Sequence, residues 1–308
     1  MDVSQLHIEK ALTNVSISYQ NAEFVAERVF PELPVDNQSD KYYVFGKERF
    51  RALDDKRRPG GTFSEIKWGL SNDSYYCEGH GLRDLIPIEA RSNADPAVDL
   101  DITSTETLTD QILLAREVSL VAALAAGLTP VDLTAAGTPF DSDAADPVKI
   151  IDQRKETIAT AIGRRPNCLL LSRPVLRGVR NNANIVGRVT GAAQLADTLV
   201  TVEQLKTLFE VDDLIVADAV KLTSADGQAD TMDFIWGKYA LLFYRPPSIG
   251  RRVVALGAHF RWSIGQQGAL VEKWWDQNRK ADVIDAYRYY DQKIIAPTAG
   301  TLFSNCVS

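Results

Sequence analysis

Cysteine and histidine are scarce in this 308-residue chain, three of each, and that scarcity removes whole classes of chemistry. Cys77, Cys168 and Cys306 are far apart, odd in number and form no CxxC pair, so neither a zinc knuckle nor a disulfide framework is predicted. A reducing cytoplasmic setting fits them. His7, His80 and His259 have no helical partner at the spacing of a metal site. A GxxxxGK[ST] phosphate loop, a GxGxxG fingerprint, an HExxH pair and a GxSxG elbow are also missing, so no cofactor, no metal and no enzymatic activity are expected. The most apolar segment, residues 118–128, falls far short of the ~20 residues that span a bilayer. Residues 1–7 carry no basic region leading into an apolar stretch, so a soluble intracellular product without a membrane partner is expected. Positive charge is in deficit. A net charge of -7 argues against a nucleic-acid-binding module, though not against a protein that encloses nucleic acid while gripping it weakly.

What is present points to assembly. At 308 residues the chain exceeds the ~250–300 that one core usually holds, so two modest domains plus arms are expected. Two strand-like stretches, Tyr42-Tyr43-Val44-Phe45 and residues 62–68, flank a charged turn closed by Pro59-Gly60-Gly61. Aromatic and β-branched residues around such a turn predict a β-hairpin, with a return running on through Tyr75-Tyr76-Cys77 towards Leu85-Ile86-Pro87-Ile88. A two-stranded hairpin is marginal alone in water. Residues 42–68 are therefore expected to reach over a neighbouring molecule and to contribute little to the subunit's own core. Asp54, Asp55, Lys56, Arg57 and Arg58 at the tip are the candidate intersubunit contacts.

Thr103 and Glu106 suit a capping box that opens a long helix over residues 104–126. Its apolar positions include Ile112, Ala115, Ser119 and Ala122, with Leu114, Val118, Val121 and Ala125 beside them. From residue 146 to about 250, helices and short apolar runs alternate. Asp146-Pro147 opens one helix and Gly163 closes it, and Thr201 with Gln204 opens another. Cys168-Leu169-Leu170-Leu171, Leu214-Ile215-Val216-Ala217 and residues 234–243 read as buried strands. The C-terminal part returns to β structure over residues 283–297. The fold class is α+β.

The remaining candidates each have a plain reading. His80, between Gly79 and Gly81, reads as a surface or turn histidine and Cys168 as a small core residue. Asp212-Asp213 and Asp54-Asp55 read as solvated turn charge, and Trp274-Trp275 as core or interface packing.

The order of elements is that of tailed-bacteriophage major capsid proteins, which the chain resembles over nearly its whole length. The stretches that carry the resemblance are residues 86–95 leading to Leu113-Leu114-Ala115-Arg116-Glu117, then Pro166-Asn167-Cys168 with the run after it, and residues 201–220. The resemblance implies a Hong Kong 97-like capsid fold. Its parts would be an N-terminal arm (1–40), an extended hairpin loop (41–90), a peripheral domain with a spine helix (91–145), an axial α+β domain (146–250), and a return to the peripheral domain with a C-terminal strand (251–308). It also implies a virion subunit, assembled in the host bacterial cytoplasm, that forms hexamers and pentamers around double-stranded DNA. Scaffolding protein, portal and decoration protein would be its partners. Some relatives crosslink lysine to asparagine; Lys47, Lys56 and Lys67 lie on the hairpin, but no partner residue is identified. An encapsulin-like nanocompartment shell shares the expected fold and is the alternative, ahead of a soluble α+β enzyme.

Overall fold

The protein is described here by a computed structural model, covering residues 24–308 apart from 53–54, 58, 61–64, 67–68, 94–98, 191–199, 226, 249–252 and 264–269. One helix, Leu100–Gly127, organises much of the chain. Its 28 residues rise over about 42 Å. Asp99, not Thr103, is its N-cap: the Asp99 carboxylate accepts from the backbone N–H of Asp101 at 3.1 Å and of Ile102 at 3.2 Å. The expected capping box lies one turn inside the helix, where the Thr103 hydroxyl donates back to the Asp99 carbonyl at 2.9 Å. An acid at this end also meets the positive pole of the helix dipole. The buried row is Leu108, Ile112, Leu113, Arg116, Glu117, Leu120 and Leu124. Ala115, Ser119 and Ala122, expected on the apolar stripe, are exposed, while Leu114, Val118, Val121 and Ala125 pack against the core edge.

Among the described residues the strands, numbered along the chain, form two five-stranded sheets and two hairpin-like pairs. The first sheet contains β1 (Glu32–Val35), β4 (Glu78–Pro87), β11 (Gly257–Trp262), β12 (Leu270–Asp276) and β13 (Ala281–Ile294). β13 is its axis, pairing antiparallel with β4 over 281–290, with β12 over 281–287 and with β11 over 290–294. β1 runs parallel to β11. The long helix lies across this sheet, with Leu108 and Ile112 against Ile86, Val271, Ile284 and Ala286.

The second sheet has the order β5 (Val131–Asp132), β14 (Gly300–Ser304), β10 (Ala240–Phe243), β6 (Cys168–Ser172), β7 (Asp213–Ala217). β6 and β10 are buried at every residue, which is why they read as continuous apolar runs. Residues 251–308 thus supply strands to both sheets. Pro147–Ile162 and Val202–Leu208 are helices as expected, the first stopped by Gly163 at φ 72 and the second opened by the Thr201–Gln204 capping box, and Arg173–Asn181 is a further helix. Residues 234–243 are not one strand. β9 (Met232–Phe234) pairs with β8 (Val220–Leu222), a turn follows, and β10 starts at Ala240. The turn lets the Trp236 side chain enter the core, where it is 1% exposed.

The remaining pair is β2 (Ser39–Phe45) with β3 (Leu70–Tyr76). The return strand therefore begins later than the expected 62–68; Glu65 and Ile66 lie outside any strand, and 61–64 and 67–68 are outside the described residues. β3 then runs through the buried Cys77 into β4, as the continuous return predicted.

Candidate functional site: an unpartnered hairpin face and a charged junction

Successive residues of a strand face opposite ways. On one face of the β2–β3 pair, Tyr42 and Tyr75 stack on Phe260 with centroids 5.6 and 4.6 Å away, and the Tyr42 hydroxyl donates to Asp73 at 2.9 Å. Tyr42 thus joins the subunit's own packing, which corrects, at this one residue, the expectation that residues 42–68 contribute little to it. The other face carries Tyr76, Tyr43 and Leu70, in register with Ser39, Asn72 and Phe45. These three are 55%, 66% and 57% exposed; Tyr43 and Leu70 are diagonal neighbours, and the polar pair Lys41–Ser74 separates them from Tyr76. Beyond them, Phe50 and Ile66 are 67% and 69% exposed. Of the five tip residues, Asp55, Lys56 and Arg57 are exposed, while Asp54 and Arg58 lie outside the described residues. Lys47 is exposed on a short 3-10 turn; Lys67 lies outside the described residues.

The second feature is polar and internal. Midway along the long helix, Arg116 and Glu117 point into the structure, 3% and 0% exposed. Glu117 collects three donors: the backbone N–H of Val25 at 3.1 Å, that of Ala26 at 2.7 Å, and the Trp236 indole N–H at 2.5 Å. It thereby caps, from a distant part of the chain, the short helix Ala26–Val29, which has no side-chain cap of its own. Burial pushes the Glu117 carboxyl above its ordinary pKa, against the pull of these donors. Arg116 donates to Glu27 at 2.8 Å and lies 3.6 Å from Glu32, which Arg261 approaches at 3.3 Å and His259 at 3.9 Å. Burial, then Arg116, Arg288 and Arg261, push the His259 pKa well below 6.5, so its ring is neutral at neutral pH. Nothing in the composition marked this junction. Its one sequence signal was an adjacent Arg-Glu pair within a long apolar helix.

The other sequence candidates resolve individually. His80 sits in β4, stacked on Tyr290 at 4.1 Å, so it is a strand residue and not a turn histidine. Cys168 is a core residue, 0% exposed, with its thiol pushed up to about 11 by burial, which keeps it protonated and unreactive. Asp213 is not free turn charge: it opens β7 and accepts from Arg28 and Arg245 at 2.9 Å each. Burial pushes its carboxyl up, and the two arginines more than offset that and hold it below its ordinary value. Trp274 and Trp275, successive in β12, are 41% and 44% exposed and so are not core. Trp274 lies under the Arg83 guanidinium, 5.4 Å away, and donates to Asp285. His7 is outside the described residues. Among the described residues no three metal-binding side chains converge, and no helix is long and apolar enough to cross a membrane.

No family model matches the chain. Two curated proteins match along its length. The major capsid protein of Burkholderia phage BcepMu is 27% identical over 305 residues, covering 96% of each chain. That of Pseudomonas phage JBD67 is 25% identical over 315 residues, covering 98% of this chain and 97% of that one. Among solved structures, a phage-related protein from Bordetella bronchiseptica RB50 superposes over 98% of both chains with a TM-score of 0.74 at 25% identity. The capsid of cyanophage P-SCSP1u (94% of this chain and 90% of that one) and an encapsulin from Synechococcus elongatus PCC 7942 (also 94% and 90%) share the fold at TM-scores of 0.60 and 0.56, with 8% and 12% identity. The likeness in sequence is thus to phage capsid proteins, while encapsulins share only the architecture. Related from end to end to phage major capsid proteins and built on the α+β architecture of phage capsids, this chain is a capsid shell protein with the Hong Kong 97-like fold.

Proposed function

We propose that this chain builds the icosahedral shell of a tailed bacteriophage, closing as hexamers and pentamers around a double-stranded DNA genome. The observation that carries this reading is the outer face of the β2–β3 pair, where Tyr43, Leu70 and Tyr76 are all more than half exposed. A subunit that completes its burial on a neighbour has a use for such exposed apolar side chains. Rings close when the same heterologous contact repeats around an axis. In this reading residues 41–90 are the loop that overlies the next subunit, and its tip charges at 54–58 meet complementary charge there. Leu100–Gly127 is the spine, 146–250 the axial domain, and 1–40 the arm. A scaffolding protein, a portal and a decoration protein are the partners, and the role is structural. With a net charge of -7 the packaged DNA is held weakly, by confinement rather than by a phosphate grip.

Co-expression of the full chain with its scaffolding protein, followed by negative-stain microscopy and sedimentation, tests the proposal. Closed, uniform particles are expected. The triple variant Tyr43→Ser, Leu70→Ser, Tyr76→Ser should stay folded by circular dichroism and fail to close particles. A parent that remains monomeric beside its scaffold, or a triple variant that assembles as well as the parent, overturns the reading. Particles that fill with an enzyme cargo in place of DNA would favour the nanocompartment alternative.

A further inference from the structure

β4 is an edge strand: among the described residues it pairs with β13 and with no other strand. One bond fixes the direction of its backbone groups. The Ile88 N–H donates to the Lys280 carbonyl at 3.1 Å, one step beyond the Pro87–Ala281 pair. Hydrogen-bonded pairs alternate along an antiparallel ladder, so Ile86, Asp84, Leu82 and His80 turn their N–H and C=O groups towards β13. Gly79, Gly81, Arg83, Leu85 and Pro87 turn theirs outward.

This outward row is closed at both ends. The Cys77 N–H donates to the Gln38 carbonyl at 2.9 Å, and the Cys77 carbonyl accepts from the Gln38 side chain at 3.1 Å. At the other end the Asp84 carboxylate takes the Leu85 N–H at 2.8 Å, and Pro87 has no N–H to offer. Such devices blunt an edge against further pairing. Between them Gly79, Gly81 and Arg83 are exposed, and their N–H groups meet no acceptor among the described residues. Gly79 and Gly81 stand opposite Tyr289 and Tyr287. Those side chains lean over the glycines so closely that a Cβ would stand 3.0 Å from the Tyr289 ring and 2.7 Å from the Tyr287 Cβ. A strand laid along the edge therefore meets an aromatic ledge on one face and Leu82, 43% exposed, on the other.

We propose that the edge from Gly79 to Arg83 takes residues 13–20 of a second copy of this chain as an added strand. In that segment Thr13, Val15, Ile17 and Tyr19 alternate with Asn14, Ser16, Ser18 and Gln20, the period of a strand with one apolar face. Main-chain hydrogen bonds to the open positions hold it, and its apolar row lies on the tyrosine ledge. The subunit's own segment enters on the wrong side. Val25 and Ala26 are tied to Glu117, and Arg116 reaches Glu27 and Glu32. Glu32 is in β1, beyond β11, whereas β4 lies on the opposite side of β13. An added strand there is four strand spacings, roughly 19 Å, from β1. Residues 21–24 span at most ~14 Å, too little to pass round the long helix to that edge. The second copy as donor rests on the shell reading; the open edge does not.

Hydrogen exchange of the β4 amides in the unassembled full-length protein, with and without a peptide of residues 11–22, tests the edge. The Gly79, Gly81 and Arg83 amides should exchange fast alone and at least tenfold more slowly with saturating peptide. A peptide carrying Ser16→Pro and Ile17→Pro should give no protection, because two successive prolines remove a ladder donor in either register. In assembled particles the parent should be protected without peptide, and particles of the double variant should not be. If that variant forms no particles, the two peptides carry the comparison. Amides left unprotected by both peptide and assembly would overturn the proposal. So would amides already protected in the dilute subunit, or protection that persists in double-variant particles. Protection by the peptide in a protein that forms no shells would uphold the edge and overturn only the shell reading.

Discussion

Replacing Glu117 with leucine removes the one acceptor that three buried donors share, and the structure lets the consequence be worked out. The N–H groups of Val25 and Ala26 and the Trp236 indole all lie in the interior, with Val25, Ala26 and Trp236 at 3%, 3% and 1% exposure. A buried donor left without a partner costs about 1–3 kcal/mol. Part of the total is returned, because a carboxylate that burial disfavours is removed as well. The net loss should be about 3–5 kcal/mol. At roughly 2 °C per kcal/mol for a chain of this size, the Glu117→Leu subunit should melt some 6–10 °C below the parent. Glu117→Gln keeps one oxygen for the two backbone donors but turns an amide NH2 towards the indole, so a smaller loss of about 1–2 kcal/mol is expected. The folded-state pKa of Glu117 is raised, so the parent's contribution from this group is complete below the ordinary glutamate value and declines as pH rises through the folded value. The gap between parent and Glu117→Gln should accordingly narrow from acid to neutral pH. Thermal melting of the unassembled subunit gives the magnitudes, and hydrogen exchange at residues 25–26 gives the location. A Glu117→Leu subunit that melts within 2 °C of the parent, with those amides equally protected, would refute the reasoning.

Acid should act on the same junction through His259. Its folded pKa is depressed, so the unfolded chain binds the proton more readily; stability is complete above about 6.5 and should fall by a little over 1 kcal/mol per pH unit below it. Urea melts of parent and His259→Gln at pH 7.5 and 5.5 should show this loss in the parent and its absence in the variant. Gly257→Ala should destabilise by about 1–3 kcal/mol, because a Cβ there would stand 2.4 Å from the Phe30 ring and 2.6 Å from the Lys293 carbonyl oxygen, and that backbone cannot retreat; chemical denaturation measures it. Asp213→Asn should cost only about 1 kcal/mol, since the Arg28 partner is half exposed. Asp213 has a depressed pKa, so its contribution is present above the ordinary aspartate value and lost as pH falls; the variant should show no such decline in acid melts.

Much of the second sheet could be read from the chain alone, for a local reason. β6 is buried on both faces and so is a continuous apolar run, while the helices at Asp146-Pro147 and Thr201–Gln204 carry their caps beside them in sequence. The long helix was equally legible as a helix, and the class of fold followed from the order of elements. Its start was misjudged by one turn because two capping signals, Asp99 and Thr103, stand a turn apart and only packing chooses between them. Likewise residues 234–243 are mostly strand-forming, but the chain turns at Gly237 (φ 46) and Trp236 leaves the strand to reach Glu117, 119 positions earlier. The hairpin's existence was local information, but which of its faces is covered depends on Phe260, which arrives from the far end of the chain. The charged junction was invisible for the same reason. Glu32, Arg116, His259, Arg261 and Arg288 are scattered over more than 250 positions, and each alone resembles ordinary surface charge. Periodicity reports which face of an element is apolar; only the register of β1, β11 and β13 decides which charges meet.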